Sequence, residues 1–221
     1  MKIISWNCRG KFREKHAVLE KMDAAIYAIQ ECENPEKHKT QFASFSQNYL
    51  WTGENDNRGL GIFAKPEINI QKNNWDAYCL RHFISVRVNN DFDLLGVWAG
   101  PPYIEEYYIY QSINIKHYNK NTLIIGDFNS NARWDKAGQK RNHTAVVKEL
   151  QEIGLVSAYH HMSGERHGEE TEYTFFMYKH PNKKYHIDYC FAAPERIRNF
   201  SISDPSEWLN YSDHAPIEII L

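Results

Sequence analysis

Two short acidic motifs, each joined to an apolar run, constrain the fold of this chain most strongly. Residues 126–129 (Gly-Asp-Phe-Asn) follow the run 122–125, and residues 212–214 (Ser-Asp-His) precede the run 215–221. Apolar runs of this length that are rich in isoleucine are typical of buried strands. A carboxylate just beyond such a strand lies at the rim of the sheet, where open α/β sheets hold their sites. The pattern therefore predicts a sheet protein with a polar site at its strand ends.

The length of 221 residues fits one large domain or two small ones. No linker rich in proline, glycine or serine divides the chain, and no repeat of fixed period is present. We therefore predict a single domain over residues 1–221. The formal net charge of -2 does not indicate a nucleic-acid partner. It does not exclude one either, because metal-binding acids lower the net charge while the bound cation restores attraction for phosphate.

The cysteines and the N-terminal residues bear on the cellular compartment. Cys8, Cys32, Cys79 and Cys190 have neither zinc-site spacing nor a C-x-x-C pair, and three of them lie in or beside predicted strands. Reduced thiols predict a cytoplasmic protein. The first residues turn polar too soon for a signal peptide, and no apolar stretch reaches membrane-spanning length. Neither secretion nor a membrane partner is expected.

The apolar pattern predicts both strands and helices. Predicted helices cover residues 14–25, 103–117 and 144–151. The turn signal Asn89-Asn90-Asp91 predicts an antiparallel hairpin of strands 83–88 and 92–98. Further strands are predicted at residues 2–6, 25–29, 60–64, 68–71, 123–125, 173–176, 186–191, 197–202 and 216–221. This mixture of hairpins and helices predicts an α+β sandwich, in which two packed sheets are covered by helices.

Five predicted strand ends carry polar side chains. They are Asn7, Glu31, Asp127 with Asn129, Asp188, and Asp213 with His214. If these ends meet, they form the oxygen-rich site that a hard divalent cation prefers. Each residue taken alone is also explained as a good turn former. Five such ends, four of them bearing acids beside apolar runs, favour a common site.

These residues resemble the motifs of the endonuclease/exonuclease/phosphatase superfamily, which includes DNase I-like and exonuclease III-like enzymes. The motifs occur in the family's order from residue 6 to residue 214: Trp6-Asn7, Gln30-Glu31, Gly126-Asp127-Phe128-Asn129, Tyr185-His186-Ile187-Asp188-Tyr189 and Ser212-Asp213-His214. The resemblance implies a four-layered αββα sandwich with two mixed sheets flanked by helices. It also implies Mg²⁺-dependent hydrolysis of phosphoester bonds, with Mn²⁺ as an alternative cation.

The resemblance implies a role for each motif residue. Glu31 binds the metal, Asn7 lies beside it in the first or second coordination shell, and Asp127 orients or deprotonates the attacking water. Asn129 holds a phosphate oxygen or Asp127, while His214 donates to a non-bridging phosphate oxygen. Asp213 fixes the His214 ring or helps to bind metal. Asp188 assists the leaving group or a second metal, and the sequence leaves open how Asp127 and Asp188 divide the protons.

Substrate recognition is less constrained. Arg58, Tyr103 and Trp134 are candidate substrate-binding residues, each with packing or solvent exposure as the plain alternative. Residues 98–103 match neither the abasic-site nucleases nor the phosphatases of the family, so the substrate class stays open. Recognition is expected from loops at residues 48–58, 98–107, 131–141 and 163–171. His143, His160 and His161 lack metal-ligand spacing and are expected to be surface or loop histidines.

The leading interpretation is a Mg²⁺-dependent phosphodiesterase that cleaves DNA or RNA, with nucleic acid as the partner. The main alternative is a hydrolase of small phosphoesters such as a nucleotide, an inositol phosphate or a phospholipid head group. A third hypothesis is a non-catalytic binding protein that keeps the fold, which the complete set of motif residues disfavours. The sequence leaves the oligomeric state open and is compatible with a monomer.

Overall fold

The computed structural model describes residues 1–221 and contains two six-stranded sheets and one two-stranded ribbon. In chain order the strands are β1 (Lys2–Asn7), β2 (Ile26–Cys32), β3 (Asn48–Asn55), β4 (Arg58–Ala64), β5 (Ile70–Lys72), β6 (Phe83–Val88), β7 (Phe92–Trp98), β8 (Thr122–Asp127), β9 (Val156–Ser157), β10 (Phe175–Phe176), β11 (Lys184–Tyr185), β12 (Asp188–Ala192), β13 (Asn199–Ile202) and β14 (Ile217–Ile220). The helices are α1 (His16–Glu20), α2 (Lys39–Phe42), α3 (Ile104–Asn114), α4 (His143–Glu152), α5 (Ala158–Ser163) and α6 (Pro205–Trp208). None of these helices has the length and apolar character needed to cross a membrane.

Both sheets mix parallel and antiparallel pairs. The first has the order β13-β14-β1-β2-β4-β3, and the second has the order β5-β6-β7-β8-β12-β9. Each contains one parallel pair near its centre, β1 with β2 and β7 with β8. The predicted hairpin is present as the antiparallel pair β6 and β7. Parallel neighbours direct their carboxyl ends to the same edge, so β1 with β2 and β7 with β8 each deliver their last residues to one rim.

Three apolar clusters separate four layers. Between the sheets, Ile3 and Ile62 of the first sheet pack in one cluster with Leu94 and Ile125 of the second. The outer face of the second sheet packs against α3 and α4, while the outer face of the first sheet is covered by residues of α1, α2, α6 and the turn at Phe12. Burying one such side chain contributes about 1.5–3 kcal/mol. These four layers form an αββα sandwich with two mixed sheets, which confirms the predicted fold class.

Two predicted segments differ from the structure. The helix predicted at residues 14–25 is reduced to α1, because Asp23 has a left-handed φ of 49° and the amide of Ala25 already bonds to Lys2 at the sheet. The loop predicted at residues 48–58 is instead strand β3 and its turn into β4. Gly53 and Gly59 pair across these strands, leaving the space that the Trp51 ring fills. The edge position of β3 leaves most of its residues partly exposed, so its sequence lacks strand alternation.

The expectation of surface or loop histidines is wrong for His143 and His160. His143 begins α4 and is fully buried, while the His160 side chain on α5 is only 8% exposed. Both rings find partners inside the protein, His143 in His167 and His160 in Ser157 and Glu170. The partner of His143 comes from a loop that the sequence places far along the chain from α4, so spacing alone gives no sign of the cluster.

Candidate active site

The predicted strand ends meet at one edge of the sandwich. Asp127 ends β8, and Asp188 begins β12 directly opposite it in the antiparallel register. Asn7 ends β1 and hydrogen-bonds to Asp127, which links the rims of the two sheets. His214 lies in an isolated bridge with Phe175, beside the start of β14. The two sheets thus bring together residues that are up to 207 positions apart between Asn7 and His214.

Local backbone features aim two of these side chains. Glu31 lies in β2 at a register shift between Gln30 and Cys32, with a left-handed φ of 60°. A bulge of this kind turns its side chain out of the strand alternation, and such strain in a non-glycine residue is typical of functional positions. Gly126 precedes Asp127 because a Cβ there would lie 1.9 Å from the carbonyl oxygen of Val97. Only glycine permits β7 and β8 to approach this closely beside the carboxylate.

Asp127 is the most enclosed group of the site. Its side chain is fully buried and accepts hydrogen bonds from the amide nitrogen of Asn7 at 2.9 Å and from that of Asn129 at 3.1 Å. The backbone amide of Asn129 adds a third at 2.8 Å. Asn129 has the left-handed φ of 48° that asparagine tolerates, which lets backbone and side chain reach the same carboxylate. The arrangement fixes both oxygens of Asp127.

The His214 ring lies between two carboxylates. Its Nδ1 atom is 2.9 Å from Asp188, and its Nε2 atom is 4.0 Å from Asp127. The hydroxyl of Thr174 accepts a hydrogen bond from the backbone amide of Asp188, which fixes the strand start that carries this carboxylate. In this structure Asp188 makes the contact with the His214 ring that the sequence analysis considered for Asp213. Asp213 lies 3.3 Å from Arg9, and the Ser212 hydroxyl donates a hydrogen bond to its carboxylate at 3.4 Å.

Burial and charge shift the pKa of both central groups. Burial, reinforced by the Asp188 charge, raises the pKa of Asp127 to about 7. Burial opposes protonation of His214, but the neighbouring Asp188 and Asp127 carboxylates outweigh it and raise its pKa to about 9. A cationic imidazole held against two carboxylates follows from these shifts. The site thus contains a proton donor, His214, beside a group able to accept a proton, Asp127.

The residues at Glu31 suit a divalent cation. Its Oε2 atom is buried and accepts no hydrogen bond, although a nitrogen of the Arg58 guanidinium lies 2.9 Å away without hydrogen-bond direction. A carboxylate oxygen left in this state is a ligand of the type that Mg²⁺ prefers. Asn7 donates its amide nitrogen to Glu31 at 3.2 Å as well as to Asp127. Asn7 therefore orients the two carboxylates in this structure. Asp127, Asp188 and His214 form a second group with metal-ligand spacing.

The predicted substrate-binding residues lie at the rim. Arg58 pairs with Glu31, and Trp134 is 43% exposed with its ring 5.2 Å from that of Tyr185. Tyr103 is 48% exposed and precedes α3. The sequence analysis missed Phe175, whose ring packs 4.6 Å from His214. No sequence motif marks Phe175, because its importance comes only from its position opposite His214 in the fold.

Comparisons with known proteins agree with this geometry. The family model described as Endonuclease/Exonuclease/phosphatase family matches residues 4–214, while no curated protein matches the sequence. The chain is similar in fold to the 3'-5' exonuclease NExo of Neisseria meningitidis, with 16% identity, a TM-score of 0.73, and coverage of 99% of this chain and 98% of that one.

Two further structures have the same fold. An AP endonuclease from Archaeoglobus fulgidus has 17% identity and a TM-score of 0.73, covering 100% of this chain and 99% of its own. A single-substitution variant of the 3' phosphatase NExo from Neisseria, bound to a product DNA hairpin, has 15% identity and a TM-score of 0.71, with 99% and 98% covered. The chain belongs to the endonuclease/exonuclease/phosphatase family of metal-dependent phosphoric ester hydrolases.

Proposed function

We propose that this protein is a Mg²⁺-dependent nuclease that hydrolyses phosphodiester bonds of DNA or RNA by attack of water on phosphorus. The observation that carries the proposal is the set of side chains around the site: arginines and a row of aromatic rings border the carboxylates and His214. Cationic side chains bind phosphate groups, and flat aromatic side chains bind bases by stacking. Nucleic acid supplies both along one strand.

The metal is assigned to Glu31, whose buried Oε2 atom accepts no hydrogen bond and has the Arg58 guanidinium beside it. A Mg²⁺ ion held there would neutralise phosphate charge and polarise the phosphate oxygens. Asn7 holds Glu31 and Asp127 in place through one amide group. Asp213 remains a candidate second ligand, which requires its Arg9 partner to move toward the phosphate.

Asp127 is assigned as the general base. Its raised pKa of about 7 suits a group that must take a proton from water near neutral pH. Asn129 holds the carboxylate in position from both backbone and side chain. His214 is assigned as the cationic donor to a non-bridging phosphate oxygen, where charge builds in the transition state. Asp188 keeps this ring protonated and oriented, and its own contact with the leaving group is a further proposal.

The aromatic row supports a polymeric substrate. The ring of His214 packs on Phe175 at 4.6 Å, Phe175 lies 6.3 Å from Tyr185, and Tyr185 lies 5.2 Å from exposed Trp134. Such a row leads from the reacting phosphate to the surface, as base stacking requires. Tyr103 is the other exposed ring assigned to substrate contact. The DNA hairpin bound by the Neisseria 3' phosphatase gives an example on the same fold.

Positive charge at the rim supports the same substrate. Arg9 and Arg58 pair with Asp213 and Glu31, and each is about half exposed. Burial, together with the charges of Lys179 and Arg9, lowers the pKa of Lys15, so both of these cations act on Lys15. A polyanion binding here releases counterions from several phosphates. We therefore expect activity to fall steeply with added salt.

The four cysteines are free thiols, and Cys8, Cys32 and Cys190 are buried. This state suits a reducing compartment, and we propose a cytoplasmic location. Fractionation of cells that express the protein at its native level checks this assignment. Recovery only in a secreted or organellar fraction would contradict it.

The test is cleavage of duplex DNA, single-stranded DNA, RNA, an abasic duplex and a bis-aryl phosphodiester, each with Mg²⁺, Mn²⁺ or EDTA. We expect cleavage of a polymer that EDTA and Asp127→Ala both abolish. The matched control is Asp91→Asn, an exposed carboxylate in the turn before β7, at the opposite end of that strand from the site. Turnover of the small diester alone would replace the nuclease with the small-phosphoester hydrolase. No turnover with metal bound would favour the binding protein.

A further inference from the structure

Two partly exposed rings, Trp98 and His82, lie beside the catalytic carboxylates and have no role in the assignments above. Trp98 ends β7, and the parallel pairing of β7 with β8 places it directly opposite Asp127. His82 precedes β6, and its carbonyl oxygen accepts the backbone amide of Trp98 at 3.0 Å. The centroids of the two rings are 4.4 Å apart. One strand therefore separates His82 from the strand that carries the proposed general base.

The Trp98 side chain faces the cleft between the two sheets. Leu94, four residues earlier in β7, packs in the cluster between the sheets, and Trp98 itself packs against that cluster. Residues at even spacing in a strand point to the same face. Asp127 points to this face as well, since it bonds to Asn7 of the first sheet. Trp98 and Asp127 are thus neighbours on the same side of the sheet, at the same rim.

The backbone holds His82 against Trp98. His82 has a left-handed φ of 61°, a conformation that histidine adopts more readily than most residues and that is typical of functional positions. The planes of the two rings are inclined by 39°, so neither ring lies flat on the other. Burial lowers the pKa of His82, and the ring is therefore neutral at neutral pH. A neutral, flat ring suits contact with a base better than contact with a phosphate.

Aromatic rings therefore flank the reacting groups on both sides. In the second sheet β8 lies between β7 and β12, so Trp98 and Asp188 are on opposite sides of Asp127. Beyond Asp188 lie His214 and the Phe175 ring that packs on it. A strand whose phosphate reacts at Asp127 thus has aromatic surfaces available in both directions.

We propose that His82 and Trp98 bind a base next to the scissile phosphate by stacking, and that the substrate is nucleic acid that is unpaired there. The inference rests on the proposed function, which places that phosphate at Asp127 and His214. In a duplex every base is paired and stacked between its neighbours, so a base reaches a ring beside Asp127 only by leaving the helix. A single strand offers its bases without this cost.

The chain offers a matched control for these rings. His117 stacks on Trp75 with centroids 5.6 Å apart, and both residues are partly exposed. Trp75 packs against the apolar cluster on the outer face of the second sheet, which is the face turned away from the cleft. A change at His117 therefore removes a similar ring pair outside the catalytic edge.

Strand binding tests the base site. It is measured with Mg²⁺ in the Asp127→Asn background, which lacks the general base. The probes are end-labelled oligothymidylate and a sugar-phosphate strand of equal length without bases, and fluorescence anisotropy gives a Kd for each. His82→Ala should lower the preference for the strand with bases by about fivefold to tenfold, the lower range of what one stacking ring contributes.

Two further variants separate stacking from a structural role. His82→Phe keeps a flat ring and should restore the preference, and His117→Ala should leave it unchanged. The far-UV circular dichroism of all three variants should match that of the Asp127→Asn parent. A loss in His82→Ala that is equal for the two strands would overturn the base site. An unchanged preference in His82→Ala would overturn it as well.

Cleavage by the unmodified protein tests the unpaired substrate. With Mg²⁺ it should cleave a DNA or RNA single strand at least about tenfold faster than the same strand in a duplex, because only the duplex must release a base. Equal rates on single strand and duplex would overturn the inference while the nuclease assignment stood. The expected binding pattern without any cleavage would support the base site and contradict the nuclease.

Discussion

The protein buries histidines in two regions, and the same side chain has opposite properties in them. At the catalytic edge, Asp188 and Asp127 outweigh burial and raise the pKa of His214 to about 9. In the histidine cluster, made up of His143, His160, His167 and His186 beside the loop 163–171, burial lowers the pKa of His143 to about 4, and burial with neighbouring imidazoles lowers that of His167 to about 2. Similar removal from water thus produces a cation in one region and neutral rings in the other.

The difference lies in the neighbours of each ring. His214 has two carboxylates and no second imidazole at its nitrogens, whereas His167 stacks on His160 and bonds to His143. A carboxylate stabilises the charged ring, while a second imidazole opposes the charge. The charged ring suits donation to a phosphate oxygen, whereas the neutral rings stack and hydrogen-bond with one another inside the protein. Burial alone therefore does not define what a histidine does.

The largest effect is expected from removing the charged ring. His214→Ala should lower the turnover of the preferred phosphodiester by about 10²–10³, because the variant lacks the donor that meets charge in the transition state. The matched change in the other region, His167→Gln, should leave turnover within a small factor. Steady-state rates under saturating Mg²⁺ check both. Similar losses in the two variants would remove the distinction between the regions.

Acid should act on the neutral histidines through stability. In the unfolded chain His143 binds a proton near the ordinary histidine pKa of 6.5, whereas burial in the folded protein lowers its pKa to about 4. The unfolded state therefore takes up the proton first as the pH falls, and His143 alone should lower the free energy of unfolding by about 3 kcal/mol at pH 4. This loss begins below pH 6.5.

His214 should contribute with the opposite sign. Its folded pKa of about 9 lies above 6.5, so the stability it adds is complete below pH 6.5 and is lost as the pH rises through 9. Urea unfolding in EDTA between pH 4 and pH 9.5 measures both limbs. His143→Gln should flatten the acid limb and leave the alkaline limb intact. An acid limb unchanged by this variant would mean that other groups cause the loss.

The two regions also differ in how far the sequence predicts them. The catalytic edge was predictable because each of its acids directly abuts an apolar run, so strand ends and site residues are marked together. Asn7, Glu31 and Asp127 accordingly lie in one hydrogen-bonded network. The partner of His214 was less predictable, since Asp188 reaches the ring only through the register of β12 on β8. Because Asp213 directly precedes His214 in the sequence, it was the expected partner of the ring instead.

The histidine cluster was not predictable from pattern. His143 begins α4, and the rest of α4, β9, α5 and part of a loop separate it from His167, so no short spacing links the two histidines. Their contact depends on how the loop 163–171 folds back over α4 and α5, and the sequence of this loop is polar and irregular. Strand β3 was missed for a related reason, because edge strands do not bury one full face. Periodicity detects burial within an element and says little about contacts between loops.

A smaller effect should separate the two carboxylates near His214. Asp188→Asn should lower turnover by about 10–100-fold, because it removes the acceptor that holds the ring. Asp213→Asn, which loses only its pairing with Arg9, should have a weaker effect on turnover and a larger one on the Mg²⁺ dependence if Asp213 binds metal. NMR titration of His214 checks the cause, since its pKa should fall in Asp188→Asn. A stronger loss from Asp213→Asn would reverse the assignment.

The smallest effect concerns the cation that faces Glu31. Arg58 lies 2.9 Å from the carboxylate oxygen assigned to Mg²⁺, so its positive charge opposes metal binding at an exposed rim where solvent weakens the interaction. Arg58→Ala should lower the Mg²⁺ concentration for half-maximal activity several-fold while raising the KM for a polymeric substrate. Arg81→Ala, an arginine of similar exposure paired with Glu54, is the control. An unchanged Mg²⁺ requirement with a raised KM would limit Arg58 to substrate binding. If neither the Mg²⁺ requirement nor the KM changed, Arg58 would have no part in metal or substrate binding. The bound metal alone would then balance the negative charge of the acids at this edge, whereas the histidine cluster consists of neutral rings.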